Sequence, residues 1–254
     1  MEISLGVVVI LCLALCLSGF VDAVAGGGGL ISMPAMLLCG LPPHTALGTG
    51  KFASTLGSLT SLWTFARNHL VVLKIAPVGF VSAFAGGMAG SALAMLIDSA
   101  MLGKLLIFLL PVGMGISLFS GKLVTAEGDL PEKHLWTRVI LMGLFIGSYD
   151  GVFGPGTGSF FIIAQHLVLR MGLVRASATA KVFNLASNAG AFAVFASGGV
   201  TLFSLGIPLA IANIIGNPIG TRLAIHVGPR VVRNFLYITL CLLLISLIYR
   251  FFLA

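Results

Sequence analysis

Charge is what this sequence has least of. Only 8% of its 254 residues are charged, against 58% that are hydrophobic, and no soluble fold needs that much apolar surface. It carries no phosphate-binding P-loop, no Gly-x-Ser-x-Gly elbow and no His-Glu-x-x-His zinc motif, so no enzyme activity is expected. Its four cysteines, Cys12, Cys16, Cys39 and Cys241, make no Cys-x-x-Cys pair, and its five histidines are scattered. No metal site and no cofactor are therefore expected. The net charge of +7 is not gathered into a basic stripe interleaved with aromatics, which argues against nucleic acid. The opening Met-Glu-Ile-Ser lacks a basic leader and a small-residue cleavage site, so residues 3–21 are expected to form a retained helix.

What fills the chain instead is a series of apolar runs of 17 to 25 residues, joined by short polar stretches. That is the pattern of an all-α, polytopic membrane protein. The long runs are 3–21, 46–66, 75–97, 103–120, 137–153, 176–197, 203–226 and 233–252. Two shorter runs, 28–40 and 157–169, are too short to span a core about 30 Å thick at about 1.5 Å per residue. The partners expected from this composition are the lipid bilayer and a small anionic solute. No oligomeric state can be read from it.

The chain contains a repeat. Gly19-Phe-Val-Asp22-Ala-Val-Ala-Gly26-Gly-Gly28 matches Gly147-Ser-Tyr-Asp150-Gly-Val-Phe-Gly154-Pro-Gly156 at an offset of 128. Farther on the offset becomes 130, pairing Ala46-Leu-Gly-Thr49-Gly-Lys51 with Ala176-Ser-Ala-Thr179-Ala-Lys181, Gly86 with Gly216, and Gly90-Ser91 with Gly220-Thr221. Residues 1–120 and 136–254 are thus two transmembrane repeats, and 121–135 is a polar linker expected in the cytoplasm.

Basic residues arbitrate the topology. If the short runs merely dip and return, the twelve Lys and Arg of the joints divide six against six. If they cross, Arg67, Lys74, Lys122, Lys133, Arg138, Arg170, Arg175, Arg222, Arg230 and Arg233 share one side, against Lys104 and Arg250. The second division obeys the positive-inside rule. It makes each half an odd number of crossings, inverts the second half relative to the first, and places both termini in the periplasm. The expected architecture is two inverted repeats, with eight long transmembrane helices and two short or broken segments.

Candidate site residues follow from the breaks and the buried charges. A helix start presents unpaired N–H groups and a partial positive charge, and glycine lets a ligand approach them. Gly26, Gly27, Gly28 and Gly29 with Ser32, and Gly154, Gly156 and Gly158 with Ser159, are therefore expected to meet an anion, twice and from opposite sides. Gly86 and Gly90 are read as helix packing. Lys51 and Lys181 lie at matched depth inside long runs, where a lysine is costly. Thr49 and Ser54 accompany the first, and Thr179, Asn184 and Asn188 accompany the second. Lysine, amide and hydroxyl donors together describe an oxyanion path. Asp22 and Asp150 are the paired acids, as proton carriers, helix-end caps or partners of the lysines, and the sequence does not choose among these roles.

These stretches resemble the TauE/SafE sulfite-exporter family, in particular its YfcA-like branch of bacterial inner-membrane proteins. The likeness rests on residues 19–34, 46–51, 149–155 and 180–188 and runs nearly end to end. It implies a secondary transporter of the cell inner membrane that exports small anions such as sulfite, sulfonates or related sulfur compounds. A channel-like anion pore and a non-transporting scaffold are the alternatives. In one departure, Gly50 stands where the branch often has the Asn of Thr-Asn-Lys, so no role for that amide is carried over.

Overall fold

The computed structural model describes residues 4–106, 108, 128 and 130–226. Helices there are α1 (Leu5–Ala25), α2 (Gly29–Leu38), α3 (Pro43–Arg67), α4 (Ala76–Leu96), α5 (helical from 99 to 106), α6 (Leu135–Val152), α7 (Thr157–Leu169), α8 (Leu173–Ser197) and α9 (Phe203–His226), and no strand occurs among the described residues. The expected run 233–252, Cys241 and most of the 121–135 linker lie outside them, as do all but the first few residues of the run 103–120.

Local chemistry sets the helix ends. Ser4 caps α1 by accepting from the Val7 N–H at 3.4 Å. Gly26 ends α1 in the left-handed region, at φ 72°, with its N–H donated to the Asp22 carbonyl. Gly156, at φ 83°, opens α7 in the same conformation. Pro43 starts α3, where the missing N–H costs nothing.

Large apolar side chains cover much of the outside, and a set of polar ones is buried within the apolar core. On α9 the exposed face is Ile207, Ile211, Ile215 and Ile219, while Asn213, Asn217 and Thr221 are buried. Helices α1, α4 and α9 have the length and hydropathy of membrane spans. The 25-residue helices α3 and α8 run about as long but bury the polar residues of the interior. The two short runs appear as α2, of 10 residues, and α7, of 13. At the first break the chain doubles back, since the Ser18 hydroxyl reaches the Gly28 carbonyl at 2.8 Å. Helix α2 packs against α1.

The repeats exchange their helices. Helix α1 packs on α9 and α4 packs on α6; α3 packs on α9 and α4 on α8; α3 and α8 meet at the centre. Every one of these contacts has its counterpart when α1–α4 are superposed on α6–α9. The close crossings repeat as well. A Cβ at Gly86 or Gly90 would strike the carbonyls of Leu144 or Ser148, and one at Gly216 or Gly220 would strike those of Cys16 or Phe20. These glycines are packing surfaces, as read from the sequence. One buried apolar cluster joins α1, α2 and α3 to α9, and the other joins α6, α7 and α8 to α4.

Candidate functional site

The glycine breaks meet in the middle of the molecule. The Ser159 N–H donates to the Gly26 carbonyl at 3.2 Å, and its hydroxyl donates to the Ala25 carbonyl at 2.6 Å. Side chains larger than hydrogen at Gly26 or Gly158 would collide with the other break. The chain has glycine here because two helix ends share one small space.

The lysines and aspartates pair across the repeats. Lys51 of α3 binds Asp150 of α6 at 2.7 Å, and Lys181 of α8 binds Asp22 of α1 at 2.9 Å. Each bridge thus joins one repeat to the other, and the two are images of one another. Lys181 also donates to the Asp22 carbonyl oxygen. Of the three roles left open for the acids, the structure shows them as partners of the lysines. The two sites differ in surroundings. The Asp150 carboxylate is 2% exposed and accepts a 2.8 Å bond from Ser187. The Asp22 carboxylate is 16% exposed and has the Asn184 amide at 3.5 Å.

Beside these bridges lies a cavity of about 40 Å³, room for a few waters or one small oxyanion at about 10–15 Å³ per water. Its wall contains Gly26, Gly28, Gly29, Ser32, Lys51, Ser54, Gly154, Gly158, Asn184 and Asn188 from the sequence reading, with Asp22 and Asp150. The first bonds of α2 run from Leu30, Ile31 and Ser32 back to Gly27 and Gly28, so Gly28 and Gly29 stand at the open head of the helix. Asn184 and Asn188 stack on α8, the Asn188 amide donating to the Asn184 side-chain oxygen at 3.2 Å. The wall is therefore rich in donors, and the two lysines and two aspartates at and behind it cancel in charge.

Six expected residues are placed elsewhere. The Thr49 and Thr179 hydroxyls accept the N–H groups of Leu202 and Val72, at 3.1 and 3.0 Å, so each pins a loop of the opposite repeat. Gly156 serves the turn into α7, Gly27 accepts the first bond of α2, and Ser159 bonds α1. Lys181 sits behind Asp22 and does not line the cavity. The head of α7 is occupied by the Gly26 carbonyl, so in this conformation one of the two helix starts, that of α2, opens on the cavity. Wall residues not singled out from the sequence include Ser18, Met36, Leu47, Gly50 and Asn213. Asn213 carried a signal: with Asn217 it repeats the i, i+4 amide stacking of Asn184 and Asn188 on the neighbouring helix.

Comparison with known proteins places this architecture. The profile of the family described as Sulfite exporter TauE/SafE matches residues 11–247. The chain belongs to this family. It is 36% identical over 236 residues to a protein of Sinorhizobium sp. named probable membrane transporter protein ORF9, covering 91% of this chain and 88% of that one. It is 35% identical over 253 residues to a probable membrane transporter protein of Haemophilus influenzae, covering 98% and 97%. The probable membrane transporter protein YfcA of Escherichia coli K12 is 29% identical over 233 residues, covering 92% and 86%. No solved structure matches the chain. The TauE/SafE protein described here is thus a multi-pass membrane protein of a transporter family.

Proposed function

We propose that this protein is a secondary transporter of the bacterial inner membrane that exports small sulfur oxyanions, sulfite and sulfonates among them, through the cavity between its repeats. The observation that carries this reading is the donor-rich wall at the head of α2, with Gly28, Gly29, Ser32, Asn184 and Asn188 facing one small space. Helix-head N–H groups and amides suit an anion of this size. The repeats are inverted and both termini are periplasmic, so the Lys51 and Lys181 pairs enter the middle from opposite faces.

An anion cannot claim Lys181 while Asp22 holds it. The Lys181–Asp22 bridge must therefore part for an anion to reach that lysine. An inside-negative potential also drives anions outward, by about 2.3 kcal/mol per charge per 100 mV.

The test is thermal unfolding of the purified protein in detergent with sulfite, taurine or chloride at one ionic strength. Binding to the folded state raises Tm in proportion to the logarithm of ligand concentration. Sulfite or taurine raises Tm in the native protein and less in Asn184→Leu, with chloride inert. Equal shifts for all three solutes, unchanged by Asn184→Leu, would refute the assigned site.

A further inference from the structure

The repeat predicts a counterpart to this cavity in the second half. At an offset of 130, its α3 wall residues Leu47, Gly50 and Ser54 correspond to Ser177, Ala180 and Asn184. On that side Phe161 and Phe183 fill the space, with ring centroids 5.3 Å apart and both fully buried. The equivalent of Phe183 on the open side is the smaller Ala53.

Beyond the aromatic pair the interior is polar and unsatisfied. Gln165, fully buried on α7, has neither its amide nitrogen nor its oxygen bonded, and the buried Ser177 hydroxyl on α8 has no partner. Leaving a buried amide or hydroxyl unpaired is unfavourable, so these groups fit a state in which water or solute reaches them. They are also in line. Residues 158, 161 and 165 share one face of α7, and 188, 184, 181 and 177 share one face of α8. Helices α7 and α8 pack together. Both stripes begin at the site, since Gly158, Asn184 and Asn188 line its cavity.

A second cavity, of about 430 Å³, lies at the turn between α7 and α8, two residues before Ser177, walled by Lys74, Arg175, Glu132, Met171 and Gly172 among others. Two cations against one carboxylate make it an anion-collecting mouth. Its floor is latched to the stripe. The Met171 N–H donates to the Gln165 carbonyl at 3.4 Å, and the Met171 carbonyl lies 2.7 Å from His166 Nδ1.

Building on the transport reading, we propose that the basic cavity at Lys74 and Arg175 is the second mouth of the same pathway, closed here by Phe161 and Phe183. When it opens, Gln165 and Ser177 line the route of a small anion from that mouth to Asn184.

The test is side-resolved labelling in a protein lacking Cys12, Cys16, Cys39 and Cys241, in right-side-out and inside-out vesicles, with a membrane-impermeant maleimide. Gln165→Cys and Ser177→Cys are expected to react from the face bearing Arg175, and Met36→Cys and Leu47→Cys from the opposite face. Phe161→Ala is expected to speed labelling at both Gln165→Cys and Ser177→Cys. Inert cysteines at both positions, in protein that runs monodisperse and still labels at Met36→Cys, would overturn the proposal. So would labelling from the same face as Met36→Cys. This readout needs no substrate, so a second mouth can stand where sulfite proves the wrong solute, and the reverse.

Discussion

Lys51 and Lys181 were legible as buried lysines from their matched Thr-x-Lys contexts inside long apolar runs, and Asp22 and Asp150 as matched acids from the echoed glycine stretch. Their pairing was not legible, because an offset gives equivalence and not contact. The exchange of α4 and α9 between repeats brings each lysine to the aspartate of the other half. Removing one member of a buried pair leaves an uncompensated charge, at a cost of about 3–5 kcal/mol, whereas replacing both by apolar residues is often neutral. Lys51→Met is therefore expected to lower Tm sharply, and Lys51→Met with Asp150→Leu to recover most of the loss without restoring transport. Equal destabilisation by the single and double variants would show that the bridge does not hold the fold. Asp150→Asn is expected to destabilise more than Asp22→Asn, because the Asp150 side chain is the more deeply buried of the two. Thermal unfolding of the two variants side by side decides the order.

At the level of the helices, most boundaries were legible in the apolar runs. Runs expected at 203–226 and 157–169 are α9 and α7, and those at 46–66 and 176–197 lie within α3 and α8. Apolar periodicity and glycine punctuation survive in a membrane chain because each helix must satisfy its own backbone. The asymmetry of the two breaks was hidden, since both read as glycine clusters ahead of short helices. It arises from the Gly26 carbonyl occupying the head of α7 and from large side chains at Phe161 and Phe183. Glycine roles separate on this basis. Gly26 combines φ 72° with contact against Gly158, while Gly199, at φ 70°, has nothing within 4 Å. Gly199→Ala is expected to cost about 1–2 kcal/mol, the penalty of the left-handed region alone. Gly26→Ala is expected to cost more and to impair transport, because it also pushes the two breaks apart. Comparable Tm values for the two variants would contradict the close approach of the breaks.

Over the whole molecule, the repeat, the swapped contacts and the crossed ion pairs describe one site shared by two halves, each half supplying what the other lacks. Helix packing alone could produce such symmetry in a scaffold, and a continuous pore could produce a donor-rich interior. A carrier differs from both in moving solute by turns, so that solute on one side accelerates uptake from the other. Counterflow of labelled sulfite into proteoliposomes holding the purified protein measures this directly. The account predicts uptake that saturates with concentration and is accelerated by unlabelled sulfite inside. Flux that rises linearly without acceleration, or flux no greater than in protein-free liposomes, would contradict it.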